Sequence, residues 1–286
     1  MPEIVYVNGR IVAPHEAVVS VNDRGLLFGD AVYEVIRSYH GRLWAVERHM
    51  RRLRRSLDAI DLTAVNIGEI EAAIRECHRA SGFPDAAVYL QITRGAAPRS
   101  HAYPADLRPT IIITVRDIAP LLADVDPRGV AAVTARDLRW GRCDIKSTNL
   151  LANVLAKTEA HRRGAHEAIL VDAEGFVTEG TSTSVFWVDG ETLFTTPAGP
   201  AILPGITREF VIEIAADEGI PFAEQRVPVH RFRRSDEVFL AGTGHDVCPV
   251  TSLDGEPVGS GRPGPITELL RQRFAARVAA GDDAPR

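Results

Sequence analysis

The sequence predicts an α+β protein, and three observations carry that prediction. Short apolar or alternating runs, closed by Gly, Asn and Asp, mark strands along most of the chain. Stretches with helical spacing fall between them without a regular β-α-β rhythm. No run approaches the roughly 20 consecutive apolar residues that a membrane span needs. With 286 residues, 45% hydrophobic and 25% charged, the chain can bury one large core or two smaller ones.

The elements follow in order. Ile4 to Val7, the Asn8-Gly9 turn and Ile11-Val12 predict a hairpin. Val32 to Tyr39, His40-Gly41 and Leu43 to Val46 predict a second. Met50, Leu53, Leu57 and Ile60 recur at helical spacing, a further helix is expected over 67–81, and strands over 87–93 and 110–115. The segment from Ala119 to Pro127 reads as a connector. The expected organisation is a small N-terminal domain over 1–118, a linker over 119–125 and a larger C-terminal domain over 126–286. In the latter, a strand is expected over 130–134 and a helix from about Ser147 to Arg163, closed by Gly164. Strands over 168–171 and 184–188 flank a Glu174-Gly175 turn. A helix runs from Thr207 to about Glu218, a buried strand covers 237–241, and a last helix covers 267–278. Residues 281–286 are expected to fray.

Composition narrows the function classes. The first residues lack the basic and apolar regions of a signal peptide. Cys77, Cys143 and Cys248 are scattered, outside any CxxC pair, which suits a reducing, cytoplasmic setting and supports neither a disulfide framework nor a metal site. Arg48, Arg51, Arg52, Arg54 and Arg55 cluster as in a phosphate-backbone binder, yet the net charge of −5 favours a solvated helix face. No nucleic-acid or membrane partner is expected. GxSxG and HExxH are absent, which argues against the corresponding hydrolases.

Of 33 Lys and Arg, only Lys146 and Lys157 are lysine. An ammonium can lose its proton and form an imine with an aldehyde, which guanidinium cannot. Chance retention of two surface lysines is the plain alternative, so their surroundings must decide. Lys146 stands in Cys143-Asp144-Ile145-Lys146-Ser147-Thr148-Asn149. Downstream lie Glu179, before Gly180, then Gly205-Ile206-Thr207 at a helix start, then Thr243 between two glycines. A carboxylate facing a pyridine nitrogen keeps that ring electron-poor. A helix N-terminus and a Gly-flanked hydroxyl suit a phosphate. Pyridoxal 5'-phosphate (PLP) needs such groups. Taken singly, a turn glutamate and an ordinary helix start account for the same residues.

Phe28-Gly29-Asp30-Ala31-Val32-Tyr33-Glu34, the stretch from Asp144 to His161, Thr178-Glu179-Gly180 and Leu203-Pro204-Gly205-Ile206-Thr207-Arg208 together resemble the fold type IV PLP enzymes, the class IV aminotransferases and their lyase relatives. The likeness runs from about Val5 to Phe274 with motifs in matching order. It implies a homodimer with PLP between a smaller N-terminal α/β domain and a larger C-terminal domain. It also implies Lys146 as the Schiff-base lysine, Glu179 on the pyridine nitrogen, Leu203 against the ring, and Arg52, Ile206, Thr207 and Thr243 at the phosphate.

Arg99 and His101, two apart after Pro98, project to one side of an extended loop and can grip a carboxylate. An exposed loop with incidental polar residues is the alternative. The segment is similar to the Arg-x-His loop of the D-amino-acid aminotransferases. By that resemblance Tyr33, Arg99 and His101 bind the substrate α-carboxylate, with Arg99 and His101 supplied by the neighbouring subunit. The expected reaction moves an amino group from a D-amino acid to a 2-oxo acid. The glycine-rich run from Ala241 to Asp246 departs from the family pattern and bears on side-chain preference. Branched-chain L-amino-acid aminotransferase, (R)-amine transaminase and aminodeoxychorismate lyase activities are the alternatives on this fold, and a non-catalytic ligand-binding protein is the alternative outside it.

Overall fold

The computed structural model describes residues 4–122 and 125–284, so Ala123 and Asp124 of the expected linker lie outside the described residues. The chain divides into two compact units. The first comprises residues 4–120 together with 145–149 and 283–284, and the second comprises the remainder. The units are therefore discontinuous in sequence, unlike the expected division into 1–118 and 126–286.

The first unit contains β1 (Ile4–Val7), β2 (Arg10–Val12), α1 (Arg24–Phe28), β3 (Ala31–Tyr39), β4 (Arg42–Leu43), α2 (Val46–Ala59), α3 (Ile67–Ser81), β5 (Ala86–Thr93) and β6 (Thr110–Asp117). A short α4 (Ala119–Leu122) lies where the two units divide. The sheet is antiparallel in the order β2-β1-β6-β5-β3-β4. Side chains alternate across it. Val32, Ile36, Val88 and Ile92 belong to a buried core with Leu53 of α2 and Ile74 of α3. Tyr33 faces Gln91 and Val35 faces Tyr89 on the opposite side.

Glu34 breaks the apolar pattern. It lies on the core face opposite Leu90 and is fully buried. Arg52 donates Nε to Oε1 at 2.8 Å and Nη2 to Oε2 at 2.7 Å. His49 Nδ1 lies 2.7 Å from Oε2. Burial opposes the carboxylate charge, but the Arg52 guanidinium and its hydrogen bonds outweigh it and hold Glu34 well below the usual range. Burial pulls His49 downward, against the attraction of Glu34. This ion pair ties α2 to the middle of β3.

Two distant segments complete the unit. Residues 145–149 lie along the first part of β3: Tyr33 N–H donates to the Lys146 carbonyl at 2.9 Å, and Thr148 N–H to the Ala31 carbonyl at 3.1 Å. Strand β4 pairs only with Ser38 and Tyr39, so this segment covers an edge that would otherwise lack partners. Residues 283–284, expected to fray, are instead held. Ala45 N–H donates to the Asp283 carboxylate at 2.8 Å, and Arg48 donates to the carbonyls of Asp283 at 3.4 Å and Ala284 at 2.8 Å.

The second unit contains β7 (Val130–Arg136), α5 (Leu151–Arg162), β8 (Glu167–Val171), β9 (Val177–Gly180), β10 (Ser184–Asp189), β11 (Thr192–Thr195), α6 (Ile206–Asp217), β12 (Phe222–Glu224), α7 (Val229–Phe232), β13 (Glu237–Gly242), β14 (Asp246–Leu253), β15 (Glu256–Pro257) and α8 (Pro265–Ala280). Its sheet runs β12-β11-β10-β13-β14-β7-β8-β9, with β15 beside β14. Parallel pairs (β11/β12, β14/β7, β7/β8) are mixed with antiparallel ones, as α+β predicts. Phe186 and Phe239, cross-strand partners, stack at 4.9 Å. Three expectations are corrected. The helix placed from Ser147 begins at Leu151, because residues 146–148 bond to β3. The Glu174-Gly175 turn joins β8 to an unforeseen β9, whose four residues are all buried and show no alternation. Strand β14 has no counterpart among the expected elements.

Replacing Glu34 with Gln leaves Arg52 and His49 buried without their carboxylate, and urea unfolding is expected to show a loss of about 3–5 kcal/mol at neutral pH. A depressed folded-state pKa makes the Glu34 contribution complete above the ordinary carboxylate value of about 4 and lost as pH falls below it. The gap between the two proteins should therefore close on acidification.

Candidate functional site

The structure separates the two lysines. Lys157 is engaged: its ammonium lies 3.5 Å from the buried Glu167 carboxylate and donates to the His166 carbonyl. Glu167 also accepts from the hydroxyls of Thr181 and Thr183. The backbone of Lys146 is pinned by Tyr33 and by the Ser56 hydroxyl, which accepts from its N–H at 3.2 Å. Its Nζ sits 4.2 Å from the centroid of the Tyr33 ring. Among the described residues no carboxylate or carbonyl takes that ammonium. The backbone is fixed while the amine stays available.

Glu179 comes from β9 and is buried. Arg139 Nη1 donates to Oε1, and Leu203 N–H donates to Oε2 at 3.1 Å, so Glu179 and Leu203 are brought together. Arg139 also binds Asp137 at 2.7 Å, and its Nη2 donates to the Ala201 carbonyl at 3.0 Å. Burial works against the Arg139 charge, but the Asp137 hydrogen bond and the two carboxylates outweigh it and raise its pKa. The permanent cation keeps a carboxylate tolerable at this depth.

The starts of α6 and α8 contrast. Helix α8 begins after Gly264, and the Glu237 carboxylate accepts from Ile266 N–H at 3.1 Å and Thr267 N–H at 2.7 Å. Helix α6 begins at Ile206 after Gly205, and among the described residues no side chain caps it. A Cβ at Gly205 would lie 2.7 Å from Ser184 Oγ, so a larger residue there would force that hydroxyl to shift. The first turn, with buried Ile206 and Thr207, therefore presents N–H donors and the positive end of the helix dipole to an anion. Thr243 stands in the β13–β14 turn, where Gly242 approaches the Ser182 carbonyl; a Cβ there would be 3.5 Å from that oxygen.

In the first unit, Arg52 is turned inward and bound to Glu34, and the Tyr33 ring contacts both Lys146 Nζ and the Tyr89 ring. Arg99 and His101 are exposed and rest on Phe28, at 5.3 and 5.6 Å. Neither makes a hydrogen bond, ion pair or ring contact with Tyr33 among the described residues. The three expected carboxylate ligands thus fall into two groups within one chain.

The family profile described as amino-transferase class IV matches residues 31–253. The chain belongs to the class IV aminotransferases. Among the relatives of this class IV aminotransferase is a D-alanine aminotransferase of Staphylococcus haemolyticus, 40% identical over 272 residues, covering 94% of this chain and 96% of that protein. A D-alanine aminotransferase of Bacillus licheniformis is 41% identical over 268 residues, covering 93% and 94%. The crystal structure of the Escherichia coli branched-chain amino acid aminotransferase superimposes with a TM-score of 0.89 at 30% identity, covering 96% of this chain and 94% of that one. The branched-chain amino acid aminotransferase of Thermobaculum terrenum, solved in its PLP form, gives a TM-score of 0.84 at 29% identity, covering 98% and 95%.

Sequence reasoning missed Arg139, the partner of Glu179 in this class IV aminotransferase. A guanidinium just upstream of Lys146, in Asp137-Leu138-Arg139-Trp140, was the available signal, but nothing local links it to a glutamate 40 residues on. Burial keeps Cys77 and Cys143 thiols up at about 11 and Cys248 at about 12, so none supplies a thiolate nucleophile. Among the described residues no His, Cys, Asp or Glu group could hold a metal, and no helix is long and apolar enough to cross a membrane. Replacing Arg139 with Gln is expected to lower kcat/KM about 10- to 100-fold, the worth of a lost buried charged hydrogen bond. Steady-state assays at saturating cofactor check this.

Proposed function

We propose that the chain is a PLP-dependent D-amino-acid transaminase, moving the amino group of a D-amino acid such as D-alanine to a 2-oxo acid such as 2-oxoglutarate. The carrying observation is the Lys146 ammonium, fixed by its backbone over Tyr33 while its Nζ is left without an acceptor among the described residues. The D substrate is supported by relatives named D-alanine aminotransferases at 40 and 41% identity over more than nine-tenths of the chain. The branched-chain L-amino-acid reading is supported by solved structures at lower identity.

The residues fit PLP by the chemistry of the donor set: a lysine amine, a buried carboxylate fixed on both oxygens, an uncapped helix start behind Gly205, and a threonine turn. When bound, PLP supplies an electron sink for the substrate Cα–H bond. Lys146 would be the residue that holds the cofactor, and its Nζ, once free, would carry the substrate Cα proton as general base and acid. Glu179 would face the pyridine nitrogen, and Arg139 and the Leu203 N–H fix where its two oxygens point. Leu203, its backbone fixed on Glu179, would pack on the ring. Ile206 and Thr207 N–H groups, Thr243 and the inward-turned Arg52 would hold the phosphate.

Tyr33, Arg99 and His101 take the α-carboxylate and so decide which Cα hydrogen faces Lys146. The separation of Arg99 and His101 from Tyr33 supports a homodimer in which the pair serves the neighbouring subunit's site. The exposed Leu151, Val154 and Leu155 on α5 support a dimer as well. Three free cysteines suit the cytoplasm.

The test is a half-reaction on the purified, PLP-loaded protein, with D-alanine, L-leucine and an (R)-arylalkylamine mixed separately while the cofactor's visible absorbance is followed. Fast loss with D-alanine alone is expected; loss with L-leucine alone overturns the substrate reading. Lys146→Ala is expected to bind PLP weakly and not turn over. Sustained turnover by that variant would refute the assignment of Lys146.

A further inference from the structure

The loop carrying Arg99 and His101 is exposed and lies between β5 and β6, yet its backbone is held from below by buried charge. Arg24, at the start of α1, is only 3% exposed. Its planar fork works in three directions: Nε donates to Asp30 Oδ2 at 2.8 Å, Nη1 to the Ser100 carbonyl at 2.6 Å, and Nη2 to the His101 carbonyl at 3.1 Å. Those two carbonyls belong to the residue after Arg99 and to His101 itself. We propose that Arg24 is a positioning residue that sets the substrate-carboxylate grip by clamping the backbone between Arg99 and His101. The inference rests on the carboxylate reading of that pair.

The clamp has a rigid base. Asp23 caps α1 by accepting from Gly25 N–H at 2.8 Å, and it also accepts from the hydroxyls of Thr93 at 3.0 Å and Thr110 at 2.6 Å. These threonines stand at the two strand ends from which the loop springs. Arg24 N–H donates to the Gly95 carbonyl, and Arg94 N–H to the Asp30 carbonyl. Gly95 itself has φ +101°, and a Cβ there would meet the Arg108 carbonyl oxygen at 2.0 Å, so the two ends of the loop close tightly. Asp30 is shared by Arg24 and Arg94. Burial disfavours its charge, but the hydrogen bonds from both arginines outweigh that and lower its pKa.

Arg94 reaches the far end of the loop, its Cζ lying 3.8 Å from the Tyr103 ring centroid. Phe28, one helical turn after Arg24, lies under Arg24, Arg99 and His101 together, at 4.8, 5.3 and 5.6 Å. The short helix thus supplies both a clamp for the backbone and a rest for the two side chains. Lysine could pair with Asp30 but could not span two successive carbonyls, because its charge lacks the planar fork. Arg24 has no part in cofactor chemistry, so its effect should be confined to substrates that present a carboxylate.

The experiment uses the PLP-loaded protein and the variants Arg24→Lys and Arg24→Gln, with Arg99→Gln as reference. Loss of the cofactor's visible absorbance is followed with D-alanine and, separately, with hydroxylamine, which attacks the same carbon without a carboxylate. Loss of two charge-assisted hydrogen bonds is expected to raise half-saturation by D-alanine about tenfold or more in both Arg24 variants. The hydroxylamine rate should stay at the wild-type value. Equal slowing with both amines would make Arg24 merely structural, and unchanged D-alanine half-saturation in Arg24→Lys would overturn the clamp. Arg24→Lys keeps the Asp30 pair, so it carries the test if Arg24→Gln fails to fold. If Arg99→Gln leaves D-alanine half-saturation unaltered, the carboxylate reading itself fails. If Arg99→Gln raises it and the Arg24 variants do not, only the clamp fails.

Discussion

The hydrogen bond from Tyr33 N–H to the Lys146 carbonyl, with its neighbour from Thr148 to Ala31, joins a segment far along the chain to the edge of β3. Strand geometry then dictates the rest. Side chains alternate with a period of two, so the register that puts Tyr33 beneath the Lys146 ammonium also sends Glu34 into the core. A slip of one residue would exchange them, leaving a tyrosine hydroxyl among aliphatic side chains and a carboxylate under the amine. Arg52 and His49 guard against that slip, because they satisfy a buried carboxylate only in one register. Placement of the Lys146 amine and core specification are consequences of the same pairing.

Arginine dominates the cations for a related reason. Arg24, Arg52, Arg94, Arg208 and Arg277 are buried, the Arg139 side chain is only 6% exposed, and each binds a carboxylate. Arg24, Arg94, Arg139 and Arg208 also donate to carbonyls elsewhere in the fold. Taking a cation out of water costs several kcal/mol, recovered only where most of its donors are used. A guanidinium can meet that condition with a planar fork, whereas an ammonium surrounded by fixed carbonyls would be costlier to release. The contrast gives the two lysines their meaning: Lys157 is built into a buried network, and Lys146 is kept out of one.

Much of this was legible in the sequence. Helix α3 matches its predicted range because its signals are local: an Asn66 cap accepting from Gly68 and Glu69, apolar spacing, and Gly82 in the left-handed conformation. Strands β3, β5 and β6 likewise announced themselves through β-branched and aromatic runs. The α5 start was misplaced because Ser147 resembles a cap, yet tertiary pairing with β3 takes residues 146–148 instead. Strand β9 carries Thr178 and Glu179 with every residue buried, so it has no polar face for a pattern to reveal. The site residues showed a similar split. As candidates, Lys146 and the α6 start stand out by rarity or by helix grammar, whereas Arg139 and Arg24 bind partners about 40 and 76 residues away and leave no local trace.

The hold on α2 has a consequence for how the chain matures. Helix α2 starts behind Ala45, an alanine in the left-handed region at φ 54° with no capping side chain of its own. The partner for the Ala45 N–H is the Asp283 carboxylate, 238 residues later. During ribosomal synthesis the N–H at the head of the helix bearing Arg52 must therefore wait for that carboxylate until 238 further residues have followed it. The first unit is laid down early but locked late, and the lock is turned by residues translated after the second unit.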